Sequence, residues 1–232
     1  MAEVVYGRRP VFEALRGRRE VGRVWCTARS RETLDWLPER AVVEPAERLV
    51  GRAESEEHQG VVAEVAPYPY AGAAEVLGGE RPLVVALDEV TDPHNLGAVA
   101  RVAECAGAGG LVVTRRRSAA VTAAVCRASA GAVEHLRIAR VENLAAFLLD
   151  TKRPGLWSYA AAAGAATAYD AADYRDGAVF VLGAEGRGLR PRVRSSCDQE
   201  VAIPLGGRIE SLNVSTAAAV MLFEAQRQRG GG

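Results

Sequence analysis

A chain of 232 residues, 49% hydrophobic and 25% charged, has ordinary globular composition and is long enough for one large domain or a small domain joined to a medium one. Lys+Arg and Asp+Glu both count 29, which excludes a histone-like polycation but leaves room for local basic patches, and the single lysine, Lys152, makes nearly every cation an arginine. Cys26, Cys105, Cys126 and Cys197 are scattered without a CxxC pair, and only His58, His94 and His135 accompany them. Neither a zinc site nor a disulfide framework is expected, so no metal is assigned and a reducing cytoplasm is the expected location. The first twenty residues are charged throughout, without the apolar core of a signal peptide, and no run of about 18 apolar residues occurs, so no membrane partner is expected.

In chain order, residues 11–16 have a helical pattern with Val11, Phe12 and Leu15 on one face, and 21–26 read as a strand. Residues 32–37 read as helical and 60–65 (GVVAEV) as a strand of period-two character, which makes a small α+β unit of residues 1–66. The stretch APYPYAGAAEVLGGERP, rich in proline and glycine and lacking a long amphipathic stripe, reads as a linker over 67–80.

From residue 81 to the end the pattern alternates strand and helix. Residues 83–87 (LVVAL) form a continuous apolar strand of the kind buried on both faces. A helix over 95–106, a strand over 111–114, a helix over 119–130, a strand over 137–141 and a helix over 142–149 follow. Strands over 156–160, 178–182 (AVFVL) and 201–205 come next, and 211–229 closes the chain as a long helix. This predicts an open α/β domain with a parallel sheet, whose ligand sits beyond the carboxyl ends of its strands. The loops after Leu87, Leu182 and Leu205 are therefore the candidate site.

In the first loop, Asp92-Pro93 forces a turn and Asn95 is well placed either as a helix N-cap or as a functional group. Gly97 permits a close approach of another backbone or a ligand. Arg101 stands in an otherwise apolar helix face, where a buried or cleft-facing cation needs a partner. The second loop, VLGAEGRGLR, places three glycines around Glu185. The order Gly183, Gly186, Gly188 fits neither GxGxxG nor a Walker loop, which disfavours a nicotinamide oxidoreductase and a nucleotide hydrolase. Glu185 is either a solvated turn residue or a functional carboxylate. In the third loop Ser211 or Asn213 caps the last helix, and Ser211 fails as a hydrolase nucleophile because GxSxG and a neighbouring histidine are lacking.

Together these segments resemble the SpoU (TrmH-like) family of S-adenosylmethionine-dependent RNA 2′-O-ribose methyltransferases. The resemblance rests on Asp92-Pro93-x-Asn95-x-Gly97-x-x-x-Arg101, on Leu182-Gly183-Ala184-Glu185-Gly186-x-Gly188-Leu189, and on Ile203-Pro204 followed by Ser211-Leu212-Asn213-Val214-Ser215, in that order over residues from 85 to 229. The start, Tyr6-Gly7-Arg8-Arg9-Pro10-Val11-Phe12, and the segment His58-Gln59-Gly60-Val61-Val62-Ala63 resemble the family's small L30-like substrate-binding domain. The two-domain form is most similar to the bacterial 23S rRNA guanosine 2′-O-methyltransferase branch.

The resemblance implies a SPOUT-type α/β fold with a C-terminal trefoil knot over 81–232, a homodimer, S-adenosylmethionine as cofactor and RNA, in particular 23S rRNA, as partner. It assigns cofactor binding to Gly183, Ile203 and Leu212. It assigns the reaction to Asn95 and Arg101, with Glu185 holding that arginine or a cofactor-side group and Ser211 and Asn213 shaping the pocket. A guanidinium stays protonated, so Arg101 suits clamping a phosphate and a developing alkoxide better than acting as a base. The arginines at 115–117, at 187, 190, 192 and 194, and at 8, 9, 16, 18 and 19 are expected phosphate contacts. Other readings are a tRNA ribose methyltransferase, an antibiotic-resistance rRNA methylase, and a catalytically silent RNA-binding ribosome-assembly factor. The last predicts loss of Asn95, Arg101 or Glu185, all of which are present.

Overall fold

The structure is a computed structural model that describes residues 2–230. The N-terminal part contains β1 (Glu3–Tyr6), α1 (Arg8–Ala14), β2 (Val21–Cys26), α2 (Ala28–Thr33), β3 (Val42–Val43), α3 (Ala46–Ala53) and β4 (Val61–Val65). Its strands lie in the order β1-β4-β2-β3, with β4 antiparallel to β1 and β2, and β3 parallel to β2. The strand expected over 60–65 is buried on both faces rather than one. Val61, Ala63 and Val65 share a core with Val11 and Ala14 of α1, while Val62 packs with Trp25 and with Leu49 of α3.

Local chemistry moved two expected helices toward the N-terminus. Gly7 turns the chain at φ 97° and Pro10 suits a first helical turn, so α1 begins at Arg8. The Thr27 side chain accepts from the Ser30 N–H at 3.2 Å, so α2 occupies Ala28–Thr33 and ends where 32–37 was expected to be helical.

The C-terminal part contains α4 (Ala73–Val76), β5 (Leu83–Asp88), α5 (Pro93–Cys105), β6 (Gly110–Thr114), α6 (Ala123–Ala128), β7 (Arg137–Val141), α7 (Leu144–Asp150), β8 (Leu156–Ala161), β9 (Thr167–Ala168), β10 (Gly177–Gly183), α8 (Pro191–Ser196), β11 (Gln199–Ala202) and α9 (Val214–Gly230). Its seven strands are all parallel, in the order β7-β6-β5-β10-β8-β11-β9. The apolar runs at β5 and β10 are its two central strands. Val85, Leu87, Phe180 and Leu182 face the layer with α5 and α9, and Val84, Ala86, Val179 and Val181 face the layer with α7 and α8.

After β5 the chain crosses to the α5 side, and after β10 it crosses to the α8 side. The connections that leave these neighbouring strands therefore diverge to opposite faces of the sheet.

The stretch between the two sheets is packed down rather than free. Tyr68, Val76 and Leu77 are buried, the Tyr68 hydroxyl donates to the Leu136 carbonyl at 2.8 Å, and the Ala71 N–H donates to the Ile138 carbonyl at 2.9 Å. Arg19, expected among the phosphate contacts, is instead buried beneath the small sheet. Its Nε donates to Glu134 Oε2 at 2.9 Å, a second guanidinium nitrogen meets Glu134 Oε1, and both side chains are at most 1% exposed. Cys126 lies 3.2 Å from this guanidinium, and burial pushes its thiol up to about 12, which makes it unreactive.

Candidate functional site

β10 ends at Gly183, and the chain then folds back on itself. The Gly188 N–H donates to the Ala184 carbonyl at 2.8 Å, while Gly186 (φ 77°) and Gly188 (φ 64°) take left-handed conformations open to glycine at little cost. A Cβ at Gly183 would lie 2.1 Å from the Gly188 carbonyl carbon, so this glycine admits the loop's own backbone.

The far end of the loop is tied to the end of β5. Arg190 donates its backbone N–H to Asp88 Oδ2 at 2.9 Å and its Nε and Nη2 to Asp88 Oδ1 at 2.9 and 2.7 Å, and it reaches Glu89 at 3.1 Å. Asp88 is buried, and its hydrogen bond raises the pKa of the Arg190 guanidinium further. Sequence reasoning missed this clamp. Its one local signal is a carboxylate closing an apolar strand.

The third segment runs from Ala202 to α9. Asn213 Oδ1 accepts from the Ser215 N–H at 2.8 Å, so Asn213 rather than Ser211 caps α9. Asn213 Nδ2 donates to Asn95 Oδ1 at 2.9 Å, which joins the start of α9 to the first turn of α5. Asn95 is not the cap of α5: Asp92 Oδ1 accepts from the His94 N–H at 2.8 Å and fills that role, which leaves the Asn95 side chain for Asn213.

Between the glycine loop and this segment lies a cavity of about 420 Å³. Leu182, Val201 and Ala161 at the strand ends, Ile203, Leu205 and Leu212 on one side, and Val214 and Ala217 of α9 give it apolar walls. Glu185, Arg187, Glu210 and Ser211 supply its polar side chains, and all four are exposed. The contributions of Ala161, Ala162, Ala163 and Glu210 were not legible beforehand, because alanines after a strand carry no chemical signature.

Of the eight residues singled out, Gly183, Glu185, Ile203, Ser211 and Leu212 line this cavity, and Asn95 and Asn213 are bonded to each other beside it. Arg101 departs from expectation. It lies roughly 240° around the helix from Asn95, on the face away from buried Leu96, Val99, Ala100 and Ala103, and it is exposed. Among the described residues it has no hydrogen-bond or ion partner, and no contact joins it to Glu185. Gly97 serves helix packing: a Cβ there would lie 2.5 Å from the Ala128 Cβ on α6.

Several expected phosphate-binding arginines are already paired, Arg115 with Glu142, Arg117 with Glu89 and Arg194 with Glu200, whereas Arg116, Arg187 and Arg192 have no ion partner among the described residues. Among those residues there is no group of three or more His, Cys, Asp or Glu able to hold a metal, and no helix is long and apolar enough to cross a membrane.

A parallel α/β sheet with a cavity at the carboxyl ends of β8, β10 and β11, walled by a folded-back glycine loop, defines the class. Residues 82–223 match the SpoU rRNA Methylase family, residues 4–71 match the family described as RNA 2′-O ribose methyltransferase substrate binding, and the chain belongs to the SpoU family. An "Uncharacterized tRNA/rRNA methyltransferase" of Synechocystis sp. is 38% identical over 242 residues, which cover 98% of this chain and 63% of that one. The "23S rRNA (guanosine-2′-O-)-methyltransferase RlmB" of Ralstonia nicotianae is 43% identical over 186 residues, covering 79% of this chain and 75% of that one. Among solved structures, the SpoU methyltransferase AviRb from Streptomyces viridochromogenes in complex with AdoMet superposes with a TM-score of 0.84 at 26% identity, covering 100% of this chain and 91% of that one.

Proposed function

We propose that the protein methylates the 2′-hydroxyl of a guanosine ribose in 23S rRNA, with S-adenosylmethionine seated in the cavity beside β10. The observation that carries this reading is that the second and third motifs line one cavity while the first is bonded to the third through Asn95 and Asn213, 118 residues apart. The residues there fit the cofactor. The volume lies within the range of about 300–1,000 Å³ typical of small-molecule sites, the walls are apolar, and the folded-back loop offers backbone polar groups. The guanosine of 23S rRNA is favoured by the activity named for the Ralstonia relative, and a tRNA ribose is the second reading, favoured by the Synechocystis relative's broader name.

When bound, the cofactor supplies an electrophilic methyl group on a sulfonium. Leu182, Val201, Ile203 and Leu212 keep water from the reacting centre, which favours a step in which charge is lost. Asn95, held by Asn213, orients the 2′-hydroxyl, and in-line alignment supplies much of the rate. Arg101, on the side of α5 away from Asn95, stays protonated and clamps an RNA phosphate with its unpaired fork, and the proton of the 2′-hydroxyl passes to solvent. Glu185 holds a polar group on the cofactor side, and Ser211 shapes the pocket.

A second copy of the chain covers α9, where Phe223 stands 48% exposed on a helix that is apolar around much of its circumference. The homodimer is expected as a single sedimenting species at twice the chain mass, and the proposed place of action is the cytoplasm.

The test is transfer of labelled methyl from S-adenosylmethionine to unmodified 23S rRNA and, separately, to unmodified tRNA, with ribose-methyl mapping. Label confined to a guanosine ribose of 23S rRNA is expected. Label on tRNA overturns the target, and label on neither, with cofactor still bound, favours the silent RNA-binding factor. Arg101→Lys is expected to lose most transfer while binding the cofactor as before, and near wild-type turnover would remove Arg101 from the reaction.

A further inference from the structure

We propose that residues 205–212 form a hinged strap that closes over S-adenosylmethionine, with Ile209 sealing the mouth of the cavity and Glu210 facing the cofactor's positive charge. The proposal rests on the seating of that cofactor beside β10 and adds two residues and a movement to it.

The strap joins two fixed posts. At one end the Ala202 carbonyl accepts from the Tyr169 N–H at 2.8 Å, and at the other Asn213 caps α9 and holds Asn95. From Leu205 to Leu212 no hydrogen bond and no ion pair is made among the described residues, and every residue of the strap is exposed. A segment held by so little opens and closes at low cost. Gly206 and Gly207 stand just inside the first post. A Cβ on Gly206 would meet nothing within 4 Å, and one on Gly207 only the Ile209 amide nitrogen at 4.0 Å, so no neighbour restrains a change of chain direction there.

The apolar side chains are the second observation. Ile209 is 76% exposed, more than any other large apolar side chain among the described residues, and Leu205 and Leu212 flank it at 41% and 37%. Leu205 and Leu212 line the cavity, whereas Ile209 between them does not. The strap thus keeps its ends against the cavity and lifts its middle into water. One exposed isoleucine is ordinary, but three such side chains in one short strap around an open apolar cavity mark a surface that becomes covered. A turn about the glycine pair would carry Ile209 from water to the cavity mouth, where its burial is favourable.

Charge selects the occupant. S-adenosylmethionine carries a sulfonium, an ammonium and one carboxylate, so it is a net cation, and it becomes neutral when the methyl group leaves. The charged side chains of the cavity are Glu185, Arg187 and Glu210, an excess of one carboxylate. Glu210 belongs to the strap itself and has no ion partner among the described residues, so closure brings an unneutralised carboxylate toward the cation. The strap therefore closes more firmly on S-adenosylmethionine than on S-adenosylhomocysteine, and it opens once transfer has removed the charge.

The test is trypsin cleavage of the full chain after Arg208, read by mass spectrometry with and without S-adenosylmethionine, beside calorimetric binding. Cleavage after Arg40, an exposed turn residue of the small unit, serves as internal reference. Saturating cofactor should slow cleavage after Arg208 by at least about ten-fold, since the protease cuts only the open strap, and leave Arg40 unchanged. Saturating S-adenosylhomocysteine should protect about three-fold less, the scale of one solvent-exposed charge pair. Glu210→Gln should abolish that difference. Ile209→Ser should weaken S-adenosylmethionine binding by about ten-fold and lose most of the protection, and Ile209→Val should keep most of both. Leu149→Ser, at an exposed apolar side chain of α7, should change neither.

Wild-type binding and protection in Ile209→Ser would overturn the proposal. So would protection of Arg208 that rises with protein concentration in the absence of cofactor, which assigns the strap to a second copy of the chain. Equal protection of the native chain by the two forms of the cofactor would overturn the role given to Glu210. Binding and protection are read separately, so the two readings part. Binding without protection of Arg208 removes the strap and keeps the cofactor in the cavity, whereas binding that Gly183→Ala leaves intact places the cofactor elsewhere and overturns both.

Discussion

A Cβ added at Gly183 would meet the backbone of Gly188 and Leu189 at 2.1 to 2.4 Å, which no side-chain adjustment relieves, whereas one added at Gly206 meets nothing within 4 Å. Gly183→Ala is therefore expected to disrupt the loop and abolish cofactor binding in calorimetry. Gly206→Ala should stay within about 0.5 kcal/mol of the native stability. The same loop depends on Asp88, whose buried carboxylate holds Arg190 through three hydrogen bonds. Asp88→Ala should cost about 3 kcal/mol in denaturant unfolding and weaken cofactor binding, because the loop end is released. The glycine spacing was readable as a site of close approach; that the approaching atoms belong to the loop itself was not, since this depends on where the chain goes after residue 188.

At the scale of elements, the site is made where two helices begin. α5 is capped by Asp92 and α9 by Asn213, and the asparagine-to-asparagine bond between Asn95 and Asn213 fixes one start against the other. Asn213→Ala removes both a cap and this bond, and should cost about 1–2 kcal/mol of stability, while Asn95→Ala removes the bond alone. A double-mutant cycle on transfer activity should show coupling of about 0.5–3 kcal/mol; strictly additive losses would mean that the bond does not orient the reacting groups. Helix boundaries followed local caps that the periodic pattern did not reveal, as at Thr27 and Asn213, whereas β7 (Arg137–Val141) runs over the residues expected.

At the scale of the molecule, one apolar cluster continues from Val5 and Val61 of the small sheet and Val11 of α1 through Val125 and Val133 to Val85 and Phe180 of the large sheet. A single cooperative unfolding transition is therefore expected by calorimetry, rather than one for each sheet. The Arg19–Glu134 pair lies within this junction at full burial. Arg19→Met alone should cost about 3–5 kcal/mol, because it strands the Glu134 carboxylate, while Arg19→Met with Glu134→Leu should recover most of that loss. The segment that reads as a linker is part of the junction: Tyr68 and Tyr70 pack edge to face, and Tyr70 accepts from the Val121 N–H at 2.9 Å. Its prolines and glycines mimic a spacer in composition, but its aromatic residues are what pack.

The sequence by itself determined the parallel α/β class and the apolar strands at 83–87 and 178–182, and it pointed to the loops that follow them, because continuous apolar runs, glycine spacing and turn residues are short-range properties of the chain. Only the tertiary structure decided how those segments are held. Asp88 meets Arg190 across 102 residues, Arg19 meets Glu134 across 115, and Asn95 meets Asn213 across 118. Such pairs leave no periodicity or local composition to read. They exist because the strand order sets β5 beside β10, because α5 packs on α9, and because one core joins the small sheet to the segment before β7, and the free energy of that arrangement belongs to the assembled core rather than to any one segment.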